Sequence, residues 1–161
     1  MTAFELLIEQ VRATSDENGW CVAVSNSLQG LTAARAAATV SGLEHSIWDI
    51  VVHLNFYNER HLRRVRGQDE GASPGEISET FASPSEATDQ AWQSEVARFA
   101  RIMKEWRGVL EEAAASASAT SAVPEWVAVV AHIALHNAYH GGQIVLTRKL
   151  QGSWDTAVGV S

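Results

Sequence analysis

Apolar residues recur at three- and four-residue spacing along most of the chain, the pattern of helices that each turn one face to a core. Phe4, Leu7, Ile8 and Val11 predict a first helix over residues 3–16, stopped by the turn chemistry of Glu17, Asn18 and Gly19. A second helical stretch is expected over 20–29, from Trp20 to a C-terminal cap at Gly30. A short Ala-rich helix over 32–40 follows, capped by Thr32. Ser46-Ile47-Trp48-Asp49 reads as a capping-box variant, and Ile50, Leu54, Tyr57, Leu62 and Val65 carry an apolar face from there to Gly67. Arg60, Arg63, Arg64 and Arg66 gather at that helix's C-terminal end, where the helix dipole favours positive charge. A solvated helix end accounts for them without an anion site.

Residues 68–82 are rich in Gly, Ser and acid and contain Pro74, so they predict a loop, and fifteen residues is long for a connection inside a compact domain. At ~3.3 Å per residue such a loop reaches roughly 50 Å. The preceding helix is only about 31 Å long at about 1.5 Å per residue. The loop can therefore run back along a bundle as a crossover, with a lid over a site as the lesser alternative. Ser83-Pro84-Ser85-Glu86 signals the next helix, and Trp92, Val96, Phe99, Met103, Trp106 and Leu110 carry its core stripe to about residue 115. A Ser/Ala/Thr connector extends to Ala122, and Pro124 opens a last helix to about Leu150 that is apolar nearly all round and so expected to be buried. Trp154 is expected to pin the tail, 151–161. The sequence carries neither a repeat nor a strand pattern. The sum is an all-α chain: a four-helix bundle with short accessory helices, in a single domain over 1–161.

Composition narrows the partners. The chain has 161 residues with 12 Lys+Arg against 19 Asp+Glu, a net charge of -7, which leaves nothing to track a phosphate backbone and argues against nucleic acid. A single cysteine cannot form an internal disulfide. No run approaches the roughly 20 apolar residues of a membrane span. Glu5 and Glu9 at the start are unlike a signal peptide, so a cytoplasmic protein is expected.

The chemistry lies in the histidines. His132-Ile133-Ala134-Leu135-His136-Asn137-Ala138-Tyr139-His140 places three of the six within nine residues. Positions four apart on a helix differ by about 40° and about 6 Å in rise, so either His132 with His136 or His136 with His140 can lean to one ion. All three drift about 80° round the axis, so one outer histidine is spare. Uncompensated imidazoles on a buried helix are costly, which favours a metal over separate hydrogen bonds to neighbours. The third ligand best offered from elsewhere is His53, in the apolar run Ile50-Val51-Val52-His53-Leu54. His45 and His61 are expected at the surface, and Cys21, a soft ligand in principle, in the core. Three neutral imidazoles leave a coordination position open, as in catalytic rather than structural zinc.

Ser46-Ile47-Trp48-Asp49-Ile50-Val51-Val52-His53 and His136-Asn137-Ala138-Tyr139-His140-Gly141-Gly142-Gln143-Ile144 resemble the DinB/YfiT-like metalloenzymes. Gly19-Trp20, Leu28-Gln29-Gly30-Leu31-Thr32 and Leu146-Thr147-Arg148-Lys149-Leu150 resemble them too, so the likeness covers nearly the whole chain. The resemblance implies an up-down-down-up four-helix bundle, a homodimer, and a divalent metal held by His53, His136 and His140, with His132 the spare. Zinc comes first, with nickel, manganese or iron as alternatives. Gly141 departs from the family, which more often has Ala or a larger residue there. Two adjacent helix glycines cost roughly 2 kcal/mol relative to Ala, which suggests close helix approach or room for a ligand.

Hydrolysis through metal-bound water needs a general base, and the residue after the first histidine of the pair is Asn137, where metalloproteases have Glu. Asp49, one turn before His53, is better explained as the helix-start acid than as a base or an orienter of His53. The wider superfamily implies another reaction on a small-molecule substrate. A low-molecular-weight thiol cosubstrate is transferred to an electrophile, with the metal stabilising the thiolate and no protein base required. With one cysteine in the chain, the reactive thiol is expected to come from a small molecule. Tyr57 and Trp20 are candidates to line the pocket, against a stronger expectation of core packing. The competing readings are a metal-dependent hydrolase and a non-catalytic, stress-associated metal-binding bundle.

Overall fold

The computed structural model describes residues 1–117 and 124–159. The expected Ser/Ala/Thr connector lies mostly outside the described residues. Six α-helices are present among them: α1 (Ala3–Ser15), α2 (Val24–Ser27), α3 (Ala33–Ala37), α4 (Ile47–Val65), α5 (Asp89–Ser116) and α6 (Trp126–Leu150). Short 3-10 turns occur at Ile77–Phe81 and Thr156–Val158. No described residue is in a strand, and no described helix is long and apolar enough to cross a membrane.

Helices α1, α4 and α5 start where side chains satisfy orphan backbone donors of the first turn, whereas α6 has no side-chain cap. Thr2 with Glu5 and Ser46 with Asp49 both form capping boxes, and Thr32 caps α3. α1 packs on α5 and α6, and α4 packs on the same two helices from the opposite corner. Side-chain pairs fix the directions. Asn55 Nδ2 donates to Glu95 O at 3.0 Å and Arg66 pairs with Glu105, so α4 and α5 run parallel. His53 faces His140 while Tyr57 and His61 face Val129 and Ile133, so α4 and α6 are antiparallel. Phe4 meets Trp126 at the start of α1 and α6, and Asn18 bonds Val158 O just past their ends, so these two are parallel. The order is up-down-down-up.

Two parallel neighbours in sequence require a crossover, and residues 66–88 make it. Arg60 donates to the carbonyls of Glu70, Gly71 and Ala72, holding the loop's start against α4. Ser83 N–H then donates to Asp49 Oδ1, back at the first turn of α4. One arginine of the cluster, Arg60, thus binds loop carbonyls, while Arg63, Arg64 and Arg66 pair with the carboxylates of Glu59, Glu70 and Glu105. One apolar cluster draws on all four long helices, with Trp48, Trp92 and Trp106 fully buried. The indole N–H groups of Trp92 and Trp106 donate to the carbonyls of Leu31 and Asn58.

Three expectations need correction. The predicted helix from Trp20 shrinks to Val24–Ser27, and Trp20 is fully exposed. There the chain is shaped by tertiary bonds: Asn18 Oδ1 accepts from Ala23 N–H and Asn26 Nδ2. The helix expected at Ser83 begins instead at Asp89 behind Thr88, because Ser83 N–H is taken by Asp49 and the Asp89 carboxylate accepts from Ala33 N–H. The last helix is not buried all round: Leu135, Tyr139 and Leu146 are exposed. Arg148 near its end is buried, donating to the carbonyls of Ser27, Gln29 and Ser153 and lying over the Trp154 ring, 5.3 Å from its centroid.

Candidate metal centre

His53 sits mid-way along α4 on the face that packs against α6, four residues after the capped first turn. His136 and His140 project from the facing side of α6, one turn apart. The structure brings these three together: Nε2 of His136 lies 3.0 Å from that of His53 and 3.1 Å from that of His140. Their ligand atoms all fall within 4.8 Å of one another, and no carboxylate or thiol among the described residues joins the group. A tetrahedral ion bonded at about 2.05 Å sets its nitrogens roughly 3.3 Å apart, close to the spacings observed. His132, one turn before His136, is exposed and stays out of the group.

The outer nitrogens determine what the inner ones present. Thr80 Oγ1 donates to Ile77 O at 2.6 Å, so toward His53 it must accept, and His53 Nδ1 carries the proton across their 2.7 Å contact. Gln143 Oε1 accepts in the same way from His140 Nδ1 at 2.6 Å. Both Nε2 atoms therefore turn bare lone pairs toward His136. One proton on His136 Nε2 can satisfy only one of them, whereas a cation satisfies all three. The donor set fits a divalent metal, and Thr80 and Gln143 are the outer partners that such ligating histidines need.

Electrostatics keep the trio ready to ligate. Burial first, then the nearby His140, His136 and His45, pushes His53 down to about 3. Burial, with His140 and His61, pushes His136 down to about 4. Burial also lowers His140, against the opposing bond to Gln143. All three are neutral at pH 7 and need shed no proton to bind an ion.

The crossover supplies a wall. Phe81, in the 3-10 turn beside Thr80, lies between His53 and His45, with ring centroids 3.9 and 3.8 Å away and nearly parallel planes. His45 is thus half-buried against Phe81 and His61 is half-buried on α4, where both had been expected at the surface. Cys21 is an exposed free thiol, not a core residue, and Trp20 lines nothing near the trio. Tyr57 does reach the site, its ring edge-on to His53 and His136. Asp49 holds Ser46 and Ser83, and Asn137 bonds Asn58 in the core, so neither presents a base to the centre. A Cβ at Gly141 would lie 3.4 Å from Val24 Cγ2 and 3.6 Å from Val22 O, so this glycine marks the close approach of the α2 segment.

The family model for the DinB superfamily matches residues 22–144, a span that takes in α4, the crossover, α5 and most of α6. The chain belongs to the DinB superfamily. No match was found among curated proteins or among solved structures. The DinB match covers all three histidines of the cluster together with Thr80, Phe81 and Gln143, and leaves α1 and the chain beyond residue 144 outside it. Gln143 was open to discovery in the sequence as the residue one helical turn beyond His140. Thr80, Phe81 and His45 carried no periodic signal, because they lie outside the α-helices, whereas His61 continues the spacing of Leu54 and Tyr57 along α4.

Proposed function

We propose that this DinB protein is a metal-dependent enzyme that transfers a low-molecular-weight thiol to a small electrophile, with His53, His136 and His140 holding the metal. Zinc is the first choice, ahead of nickel, manganese or iron. The observation that carries the reading is the convergence of three neutral Nε2 atoms with no protein base beside them. The metal would supply the charge that keeps a thiol ionised at neutral pH. The thiol sulfur forms the new bond to carbon, the leaving group departs with its electron pair, and the thiol proton passes to solvent. The three histidines set the position of the sulfur, and Tyr57 and Phe81 bound the space around it. A cytoplasmic location fits such a cosubstrate, because thiols are kept reduced there.

Hydrolysis ranks second because Asp49 and Asn137 are both committed elsewhere. A non-catalytic bundle ranks third because a cavity opens beside His136. The test is zinc stoichiometry in the parent and in His136→Ala, followed by metal-dependent conjugation of bacillithiol, mycothiol, glutathione or coenzyme A to a chromogenic electrophile. Equal zinc in both proteins removes the metal site, and no conjugation with any thiol removes the transferase.

A homodimer is part of the proposal, and the exposed face of α6 supports it. His132, Leu135, Tyr139, Gly142 and Leu146 lie exposed at alternating steps of three and four, with Leu135 68% and Tyr139 65% accessible. A two-fold axis across residue 137 sets Leu135 against Tyr139 of a second copy, His132 against Gly142, Ala128 against Leu146 and Glu125 against Lys149. Each layer pairs a large side chain with a small or shape-matched one, and opposite charges close the ends.

A further inference from the structure

A cavity of about 410 Å³ runs between α4 and α6 and is lined by Tyr57, His61, Val129, His132, Ile133 and His136. Its volume lies within the range of small-molecule sites. Tyr57, Val129 and Ile133 make apolar walls, and His136 ties one edge to the metal centre. No Lys, Arg, Asp or Glu is among the lining residues, so in the metal-free protein a charged ligand would lose hydration with nothing to replace it.

His61 gives the cavity its polar character. It lies four residues beyond Tyr57, and the two rings stack with centroids 6.3 Å apart. Its Nδ1 is sealed from solvent and has no hydrogen-bond partner among the described residues. Burial, aided by Arg64, keeps the ring neutral, so it carries one proton. A sealed N–H without an acceptor costs more than a bare lone pair, so the proton belongs on Nε2. Nε2–H is then a donor available to whatever fills the cavity.

We propose that this cavity is the subsite for the electrophile, and that it selects a neutral, largely apolar molecule bearing one acceptor oxygen, such as a carbonyl, which takes a hydrogen bond from His61. The role as electrophile rests on the function proposed above; the ligand class rests on the cavity alone. His61 is on this reading a specificity residue, whereas His132 stands exposed at the mouth.

A matched series tests it: acetophenone, ethylbenzene, benzoate and 1-phenylethylammonium, titrated into zinc-loaded and metal-free protein while the Val129 and Ile133 methyl resonances are followed by NMR. Acetophenone should bind about five-fold tighter than ethylbenzene, the worth of one neutral hydrogen bond, with both ions weaker still. His61→Phe should abolish that preference while leaving ethylbenzene binding and zinc content unchanged. If His61→Phe does not fold, the parent's His61 Nε2 resonance decides: it should shift with acetophenone and not with ethylbenzene. The proposal fails if ethylbenzene matches acetophenone, if an ion binds best, if His61→Phe keeps the preference, or if the preference needs zinc. Zinc content of the same samples judges the metal centre separately. Selectivity without zinc binding would sink the proposed function and leave the ligand class standing.

Discussion

Thr80 never touches an ion in this arrangement, yet its hydroxyl should set how tightly one is held. The side chain is 4% exposed and accepts from His53 Nδ1 while donating to Ile77 O. Thr80→Val keeps the volume and removes both bonds. Without a metal the change is mild. The proton of His53 can move to Nε2 and be donated to His136 Nε2, 3.0 Å away, so the loss is about 1 kcal/mol. Metal binding reverses that escape. The proton must return to Nδ1, where it now lies buried without an acceptor at about 1–3 kcal/mol. At about 1.4 kcal/mol per factor of ten, zinc affinity should fall roughly 10- to 100-fold, the usual effect of losing such an outer partner. Competition with a chromophoric chelator measures the affinity, urea denaturation of the metal-free protein measures the stability, and Thr80→Ser, which keeps the hydroxyl, is the control. Valine and serine variants with parental zinc affinity would refute the tautomer argument. A loss of affinity matched by an equal loss of metal-free stability would reduce Thr80 to a packing residue.

Other consequences are open to equally direct measurement. Zinc at a hundred times its Kd should stabilise the fold by about 2.7 kcal/mol, and for a chain of 161 residues raise Tm by roughly 5–10 °C. Chelation should erase that shift, and His53→Ala should never show it. In the metal-free protein, His53 and His136 titrate at about 3 and about 4, against about 6.5 when unfolded, so the unfolded chain binds more protons below pH 6.5. Stability should therefore fall as pH drops from about 6.5 toward about 4, by up to about 1.4 kcal/mol per pH unit for His53 and less for the half-buried His136. Urea midpoints that stay flat over that window would contradict the shifts. Glu125→Lys or Lys149→Glu alone should weaken self-association in sedimentation, and the double charge swap should restore it. Arg148→Met should cost about 2 kcal/mol in urea denaturation, because the buried carbonyl of Ser27 and the half-buried carbonyl of Ser153 lose their donor.

Local chemistry that repeats with the helix was legible in the sequence. The apolar stripes of the long helices, the Ser46–Asp49 capping box and the Thr32 cap need only neighbours within one turn to act. The crossover was legible by length arithmetic, since a loop able to span the bundle frees the next helix to run parallel. What failed depended on partners far along the chain. Ser83 is as good an N-cap as Thr88 in isolation, but its N–H is drawn to Asp49, 34 residues back, and the helix waits for Thr88. Trp20 looks like a core residue by composition, yet the bonds that Asn18 makes to Ala23 and Asn26 turn that strip outward.

The candidate site divides along the same line. Helical geometry left two pairs open, His132 with His136 and His136 with His140, and the family resemblance chose the second. In the structure His140 is buried while His132, about 80° round the helix from it, is exposed. His53 followed from lying among apolar neighbours on a helix that had to face α6. Thr80 and Phe81 were hidden because a 3-10 turn inside a polar loop offers no period from which to infer a direction. Yet they hold the tautomer of His53 and stack on its ring, so the least predictable segment controls a histidine that the sequence did single out. That asymmetry has a physical cause. A regular helix can bring nitrogens to within a few ångströms of one another, but the helix does not determine which of them carries a proton. A partner on the ring's far side must do so: for His140 it is Gln143, one turn along the same helix, whereas for His53 it comes from the crossover.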